Sequence, residues 1–201
     1  MPVTRTLIIA NVLVYGLQMV LGDWAVIYGA LWPWHTSNLQ GVPPFEVWQL
    51  VTYGFMHGGL AHLFFNMFAL YMFGSDIERS MGTNKYLIYY FTCVVGAAVA
   101  QLVVMALTHS PPIPTVGASG GIFGILLAFG IAFPERRIML LFPPIPMPAR
   151  VFVMLYGALE LALGVFGTQQ GVAHFAHLGG MAAGYLLILY WRHARHGWWK
   201  W

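Results

Sequence analysis

Hydrophobic residues run along this chain in six long stretches, separated by shorter segments that are richer in polar residues, glycine and proline. Most of the stretches are long enough to cross the ~30 Å hydrocarbon core of a bilayer as α-helices. They predict an all-α membrane protein in which a single domain, residues 1–201, forms a bundle of six transmembrane helices. The predicted spans are residues 6–21, 50–73, 86–107, 116–133, 151–165 and 172–191.

Two of the connections have compositions that predict their structure. The first, residues 22–49, is rich in Trp, Tyr and Pro, so we expect an amphipathic hairpin lying in the membrane interface. The fourth, residues 134–150, contains five prolines and cannot be helical throughout.

Composition supports the membrane assignment. Hydrophobic residues make up 59% of the chain and charged residues only 7%, whereas soluble domains carry roughly 25% charged residues. Arg5 before the first stretch resembles the start of a signal peptide, but no small-x-small cleavage site follows, which favours a transmembrane helix. The single cysteine, Cys93, excludes an intrachain disulfide.

The basic residues predict the orientation of the bundle. All nine fall in the two terminal tails or in the second and fourth connections, on one side of a six-span arrangement. The positive-inside rule therefore places both termini in the cytoplasm, and no basic patch for nucleic acid is left. A prokaryotic inner membrane is the expected location, and an organelle membrane is also compatible. The residues are Arg5, Arg79, Lys85, Arg136, Arg137, Arg150, Arg192, Arg195 and Lys200.

Four polar residues lie at similar predicted depths on three different spans. Ser119 lies about one turn below the outer end of span four, and His177 about five residues into span six, on the order of 5–8 Å below the outer helix ends. His62 and Asn66 lie in the outer half of span two. Polar groups inside a membrane usually mark function. A serine beside a histidine predicts a nucleophile and its base, open to the extracytoplasmic side. No acidic partner is evident near His177, so we expect a dyad.

The same residues supply donors for an oxyanion. His62 and Asn66 are spaced i,i+4 and share one helix face, and the backbone N–H of Ser119 near a helix N-terminus is a third donor. Phe123, at i+4 from Ser119, is expected to stack on the imidazole. Gly180 and Gly184, on the histidine face of span six, allow the close helix approach that a serine–histidine hydrogen bond requires.

These residues resemble the motifs of the rhomboid protease family in its minimal six-span form. The G-x-S-G motif matches Gly117 to Gly120 and contains Ser119, and H-x-x-x-N matches His62 to Asn66. A-H-x-x-G matches residues 176–180, and G-x-x-x-E-x-x-x-G matches residues 74–82. Two departures are Gln49, where many members have Arg, and Phe123, where Tyr is familiar.

The resemblance implies a protease that cleaves single-pass membrane proteins within or near their transmembrane segments. It implies Ser119 as nucleophile, His177 as general base, and an oxyanion site of His62, Asn66 and the Ser119 amide. No metal or cofactor is expected, and the partners are transmembrane substrates and the lipid bilayer. It also implies that span five and the connection after it gate substrate access. The native substrate, the cleavage-site preference and the oligomeric state are left open.

Several alternatives remain. Ser119 could be a packing residue, and His174 with His177 could join His62 or Glu160 at a metal, although no H-E-x-x-H motif is present. We expect His174 near the lipid headgroups. Glu160 in span five has no obvious basic partner; it could face water, be protonated or bond to a neighbouring helix.

Two other functions fit a membrane bundle with buried polar residues. A small transporter would have internal repeats, and none is found in the sequence. A catalytically silent, client-binding relative would lack the serine or the histidine, and both Ser119 and His177 are present. Both comparisons favour the protease.

Overall fold

The computed structural model describes residues 1–36, 39–109, 111–139, 144–166 and 173–194. The α-helices in this part of the chain are α1 (Pro2–Leu21), α2 (Asp23–Gly29), α3 (Gln49–Thr52), α4 (Leu60–Ala69), α5 (Ser75–Met81), α6 (Thr83–Leu107), α7 (Ser119–Ala132), α8 (Ala149–Phe166) and α9 (His174–His193). Short 3-10 helices lie at Trp34–Thr36 and Tyr53–Phe55. A π-helical turn, Leu70–Gly74, joins α4 and α5 into one rod.

The fourth connection is not helical in its described residues before Ala149, in agreement with its prolines. Within it, strand β1 (Arg137–Met139) pairs antiparallel with β2 (Pro146–Pro148), with Ile138 opposite Met147. Residues 140–143 of this connection lie outside the described part of the chain.

Helix α7 is the centre of the bundle. It packs against both α6 and α9, and most of its 14 residues are buried. A helix that is apolar on every side belongs in the interior of a bundle, and the glycines of α7 let its neighbours come close. The helix that carries Ser119 is therefore held between two neighbouring helices, α6 and α9.

The second span differs from its prediction over residues 50–73. The chain forms α3 and a 3-10 turn up to Phe55, breaks at Gly58 and Gly59, and only then begins the continuous helical rod Leu60–Met81. Two adjacent glycines interrupt a helix because their backbones are least restricted. Hydropathy alone could not detect this break, since the flanking residues are as apolar as a span.

Much of the exposed surface of the described residues is apolar, as a lipid environment requires. Long aliphatic and aromatic side chains face outward, for example Val20, which is 82% exposed. Within the described residues, four helices are long and apolar enough to cross a membrane: α1, the α4–α5 rod, α6 and α8. The apolar α7 is shorter. The helical membrane fold is confirmed, and the count of six crossings remains a prediction.

Charged side chains join the ends of α1, α5 and the fourth connection. The buried Glu78 accepts hydrogen bonds from the backbone N–H groups of Val3 (3.0 Å) and Thr4 (2.9 Å) and from the Thr4 hydroxyl (2.7 Å). Asp76 pairs with Arg136 across the second and fourth connections. These contacts bring the N-terminus and both connections to one end of the bundle, as the distribution of basic residues predicts. The predicted cytoplasmic Arg195 and Lys200 lie outside the described residues.

At the opposite end, the first connection supports the loop before Ser119. Leu31 and Thr115 exchange two backbone hydrogen bonds of 3.0 and 2.9 Å. Gln49, fully buried, accepts a bond from the Trp32 N–H (3.1 Å) and donates to the Pro44 carbonyl (3.3 Å). The first connection is thus folded onto the bundle around Gln49, with residues 37–38 outside the described part.

Candidate active site

Ser119 and His177 meet across two helices. The Ser119 hydroxyl lies 2.8 Å from His177 Nε2, within ordinary hydrogen-bond range. Ser119 is the first residue of α7 and not one turn inside it, and His177 lies in the first turn of α9. Both residues therefore lie at helix N-termini at the same end of the bundle, and Ser119 is partly accessible while His177 is buried.

A close approach of α7 and α9 makes this contact possible. A Cβ at Gly180 would lie 2.0 Å from the Gly120 carbonyl oxygen, so only glycine fits at this crossing. Gly184 has a different neighbour from the one its spacing suggested. A Cβ there would meet Tyr89 and Cys93 of α6, because a helix turns by about 40° between residues i and i+4.

The His177 ring is held against an aromatic face. Phe123 stacks on it with 4.2 Å between ring centroids and 5° between planes. Tyr156 of α8 also contacts Phe123, with 5.5 Å between ring centroids, and Phe152 stacks on Tyr156 at 5.3 Å. The column fixes the plane of the imidazole, as the i+4 position of Phe123 predicted.

His62 lies beside the loop that precedes Ser119. Its Nδ1 accepts a 3.3 Å hydrogen bond from the Gly58 N–H, so its Nε2 carries the proton. Gly117 has φ +131°, and a Cβ there would lie 2.9 Å from His62 Nε2 and 3.5 Å from Ser119 Oγ. The absent side chain of Gly117 thus leaves a small space between a donor and the serine hydroxyl.

Asn66 and the Ser119 amide add two more donors. Asn66 is buried, and its Nδ2 has no hydrogen-bond partner among the described residues. The Ser119 N–H, at the first position of α7, is one of the groups that a helix leaves unbonded. Ser119, His177, His62 and Asn66 all line one cavity of about 980 Å³. The cavity has room for a peptide segment against the serine.

The expectation that His177 has no acidic partner is wrong. Glu160 of α8 is buried, and its Oε2 lies 2.8 Å from His177 Nδ1 and 2.7 Å from His174 Nδ1. His174 is likewise buried within the bundle, and its predicted depth near the headgroups stays a prediction. A carboxylate in an apolar helix needs donors, and α8 meets α9 where both histidines offer one. Ser119, His177 and Glu160 form a continuous chain of hydrogen bonds.

Glu160, His174 and His177 are residue types that can bind a metal, so their arrangement is relevant to the alternative hypothesis of a metal site. One ligand atom each of Glu160, His174 and His177 lies within 4.8 Å of the others, whereas His62 is outside the group. The carboxylate oxygen already accepts a hydrogen bond from each imidazole, so the donors and acceptor satisfy one another without a cation. The absence of a metal remains a prediction.

Tyr156 was missed in the sequence, and Glu160 was noted there without being assigned to His177. A signal existed for both. They are spaced i,i+4 on one face of α8, and Glu160 lies six residues before the end of that helix. His177 lies three residues after the start of α9. Because consecutive spans run in opposite directions, these positions have similar depth, so the carboxylate had a histidine within reach.

Comparisons with known proteins agree with the motifs. The Rhomboid domain family model matches residues 44–194. The protein named Rhomboid protease GlpG from Yersinia pestis (strain Pestoides F) is 26% identical over 193 residues, covering 94% of this chain and 62% of the relative. The GlpG of Yersinia pseudotuberculosis serotype O:3 has the same values.

A plant protein is also similar. RHOMBOID-like protein 4 of Arabidopsis thaliana is 33% identical over 142 residues, which is 71% of this chain and 33% of the relative. The chain spans 62% of the length of the Yersinia relatives that it matches.

Proposed function

Because this chain belongs to the rhomboid family, we propose that it is an intramembrane serine endopeptidase that cleaves single-pass membrane proteins within or near their transmembrane segments. The observation that carries the proposal is the 2.8 Å contact between Ser119 Oγ and His177 Nε2 at the wall of the 980 Å³ cavity. The similarity to proteins named as rhomboid proteases supports the same reaction class.

Acylation follows from the roles of these groups. His177 Nε2 takes the Ser119 proton as the hydroxyl oxygen attacks the scissile carbonyl carbon. The negative charge that develops on the carbonyl oxygen is stabilised by the Asn66 amide, the His62 Nε2–H and the Ser119 N–H. In this step Asn66 Nδ2, which has no partner among the described residues, donates a hydrogen bond to the oxyanion. The C–N bond then breaks, and His177 returns the proton to the leaving amine.

Deacylation repeats the chemistry with water. A water molecule in the cavity gives a proton to His177 Nε2 and attacks the Ser119 ester carbonyl, and the same donors stabilise the second oxyanion. The ester bond breaks, the new carboxylic acid leaves, and His177 protonates Ser119 Oγ. No metal, redox partner or cofactor is required by these steps, which use only water and the peptide.

The proposal also includes the orientation of the protein in the membrane. The protein is an integral membrane protein, with both termini in the cytoplasm and the cavity open to the extracytoplasmic side of a prokaryotic inner membrane. The location of Asp76, Arg136 and Glu78 at one end of the bundle and of Ser119 and His177 at the other supports this arrangement. The orientation is tested by attaching a charged tag to a terminus and determining from which side of the membrane an added protease can reach the tag.

The activity is tested by incorporating the purified protein into proteoliposomes with a single-pass substrate. The parent is compared with Ser119→Ala and His177→Ala, and folding is checked by thermal unfolding. We expect the parent to cut and both folded variants to be inert. Cleavage by Ser119→Ala would refute the serine mechanism. A folded parent that cuts none of several substrates would favour a client-binding or transport function instead.

A further inference from the structure

A carboxylate lies at the far edge of the histidine that bonds to Ser119. Glu160 Oε2 is 2.8 Å from His177 Nδ1, on the opposite side of the ring from the 2.8 Å contact between Nε2 and Ser119 Oγ. The Glu160 side chain is only 9% exposed. Burying a carboxylate in an apolar helix is energetically unfavourable unless it is hydrogen-bonded. Its presence at this position calls for a role.

The bond to Glu160 determines which nitrogen of His177 carries the proton. An ionised carboxylate can only accept, so His177 Nδ1 must be the donor. A neutral imidazole with its proton on Nδ1 has a free lone pair on Nε2, and Nε2 faces the Ser119 hydroxyl. This is the tautomer that can remove the serine proton. A free imidazole has no such constraint.

His174 holds the carboxylate in place. Its Nδ1 donates a 2.7 Å hydrogen bond to the same Oε2 atom that accepts from His177. The two imidazole planes are perpendicular, with 6.5 Å between ring centroids. Two donors from one helix therefore meet at a single oxygen atom, and the bond from His174 keeps that atom in place for the bond from His177.

Helix α8 acts on the base directly through Glu160 and indirectly through Phe123 of α7. Phe152, Tyr156 and Glu160 are spaced i, i+4 and i+8, so they share one face of the helix. Tyr156 contacts Phe123, whose ring stacks on His177, while Glu160 bonds to the edge of the His177 ring. One face of α8 thus bonds to the edge of the imidazole and supports Phe123, the ring that stacks on its plane.

We propose that Glu160 is a positioning residue of this active site: its carboxylate holds His177 in the Nδ1–H tautomer and stabilises the imidazolium that forms when Ser119 attacks. The proposal rests on the proposed function and adds a third member to the serine and histidine. Because Glu160 lies on α8 while its partners lie on α9, the carboxylate bonds to the base only while these two helices are packed together. Separation of α8 would leave the His177 ring stacked on Phe123 but without the bond that selects its tautomer.

The first test separates charge from shape. Glu160→Gln keeps an oxygen acceptor and the side-chain volume but removes the negative charge. We expect kcat to fall on the order of 10²-fold with little change in KM, because the lost interaction is strongest in the transition state. Glu160→Asp keeps the charge on a shorter side chain, so it should recover part of that loss. Glu135→Gln, the same change at an exposed carboxylate that pairs with Arg150, is the matched control and should retain the parent kcat.

A second readout excludes an effect on substrate access. The rate at which a small fluorophosphonate labels Ser119 does not depend on the passage of a transmembrane helix into the cavity. We expect the labelling rate of Glu160→Gln to fall in parallel with kcat. Slow cleavage with an unchanged labelling rate would mean that Glu160 acts on access, and would overturn the proposal. So would a Glu160→Gln variant with the parent kcat, or a Glu160→Asp variant no better than Glu160→Gln.

If the variants do not fold, a measurement on the unmodified protein still tests the proposal. In ¹⁵N-histidine NMR of the parent, we expect His177 to carry its proton on Nδ1. An Nε2–H tautomer would contradict the proposal. Failure of this inference is distinct from failure of the proposed function: if the parent cuts and Ser119→Ala does not, the protease assignment stands whatever Glu160→Gln does.

Discussion

The crossing of α7 and α9 at Gly180 gives the sharpest structural prediction. Gly180→Ala adds one methyl group at a point 2.0 Å from the Gly120 carbonyl oxygen, where real contacts are almost never shorter than 3.0 Å. The helices must separate by at least about 1 Å to accept it. Since Gly120 follows Ser119 and Gly180 is one turn from His177, a shift of that size stretches the 2.8 Å Ser119–His177 contact to roughly 3.8 Å, beyond hydrogen-bond range.

The expected cost follows from this displacement. A misplacement of about 1 Å in a catalytic pair costs on the order of 10²-fold in rate, and overpacking a tight interface costs about 1–3 kcal/mol of stability. We therefore expect Gly180→Ala to lower kcat about 10²-fold in proteoliposomes and to lower the melting temperature moderately. The matched control is Gly16→Ala in α1, where nothing lies within 4 Å of the added Cβ. Parent-level cleavage by Gly180→Ala would refute the argument that this close approach sets the geometry of the site.

Three further predictions concern separate parts of the molecule. Asn66→Ala should lower kcat about 10²–10³-fold with little change in KM, because it removes an oxyanion donor; initial rates over a substrate series measure this, and an unchanged kcat would remove Asn66 from the site. Glu78→Gln should destabilise the protein by about 1–3 kcal/mol, because a buried acceptor of three hydrogen bonds loses its charge and one of its oxygens. Thermal unfolding beside the exposed control Glu135→Gln checks this, and equal melting temperatures would contradict it. Chelation with EDTA should leave cleavage unchanged, because Glu160 Oε2 already accepts a hydrogen bond from Nδ1 of each histidine; activity that is lost and then restored by a divalent cation would establish a metal site.

Much of the site could be anticipated from short-range patterns. The i,i+4 spacing of His62 and Asn66 puts both on one helix face, and the i+4 spacing of Ser119 and Phe123 puts the aromatic ring next to the serine. Such relations depend only on helix geometry, which is the same in every helix. The pairing of Ser119 with His177, 58 residues apart, required the further observation that both lie at the same predicted depth.

The remaining features depend on how helices rotate about their axes. Hydropathy places Glu160 in a span but does not say which neighbour its side chain faces, so its two bonds to α9 were not predicted. The break at Gly58 and Gly59 was not predicted either, because apolar residues continue on both sides of it and hydropathy does not change there. Gly184 was assigned to the α7 interface from spacing alone, whereas the rotation of α9 turns it toward α6. In a membrane helix most faces are apolar, so the sequence holds little information on rotation.

The most direct test of the account is to locate the residue that a serine-reactive fluorophosphonate modifies. The purified protein is labelled in liposomes, digested and examined by mass spectrometry, beside Ser119→Ala and His177→Ala. The account predicts a single adduct on Ser119 in the parent, none in Ser119→Ala, and strongly slowed labelling in His177→Ala. An adduct on another serine, or labelling of Ser119 at the parent rate without His177, would contradict the assignment of these two residues as nucleophile and base.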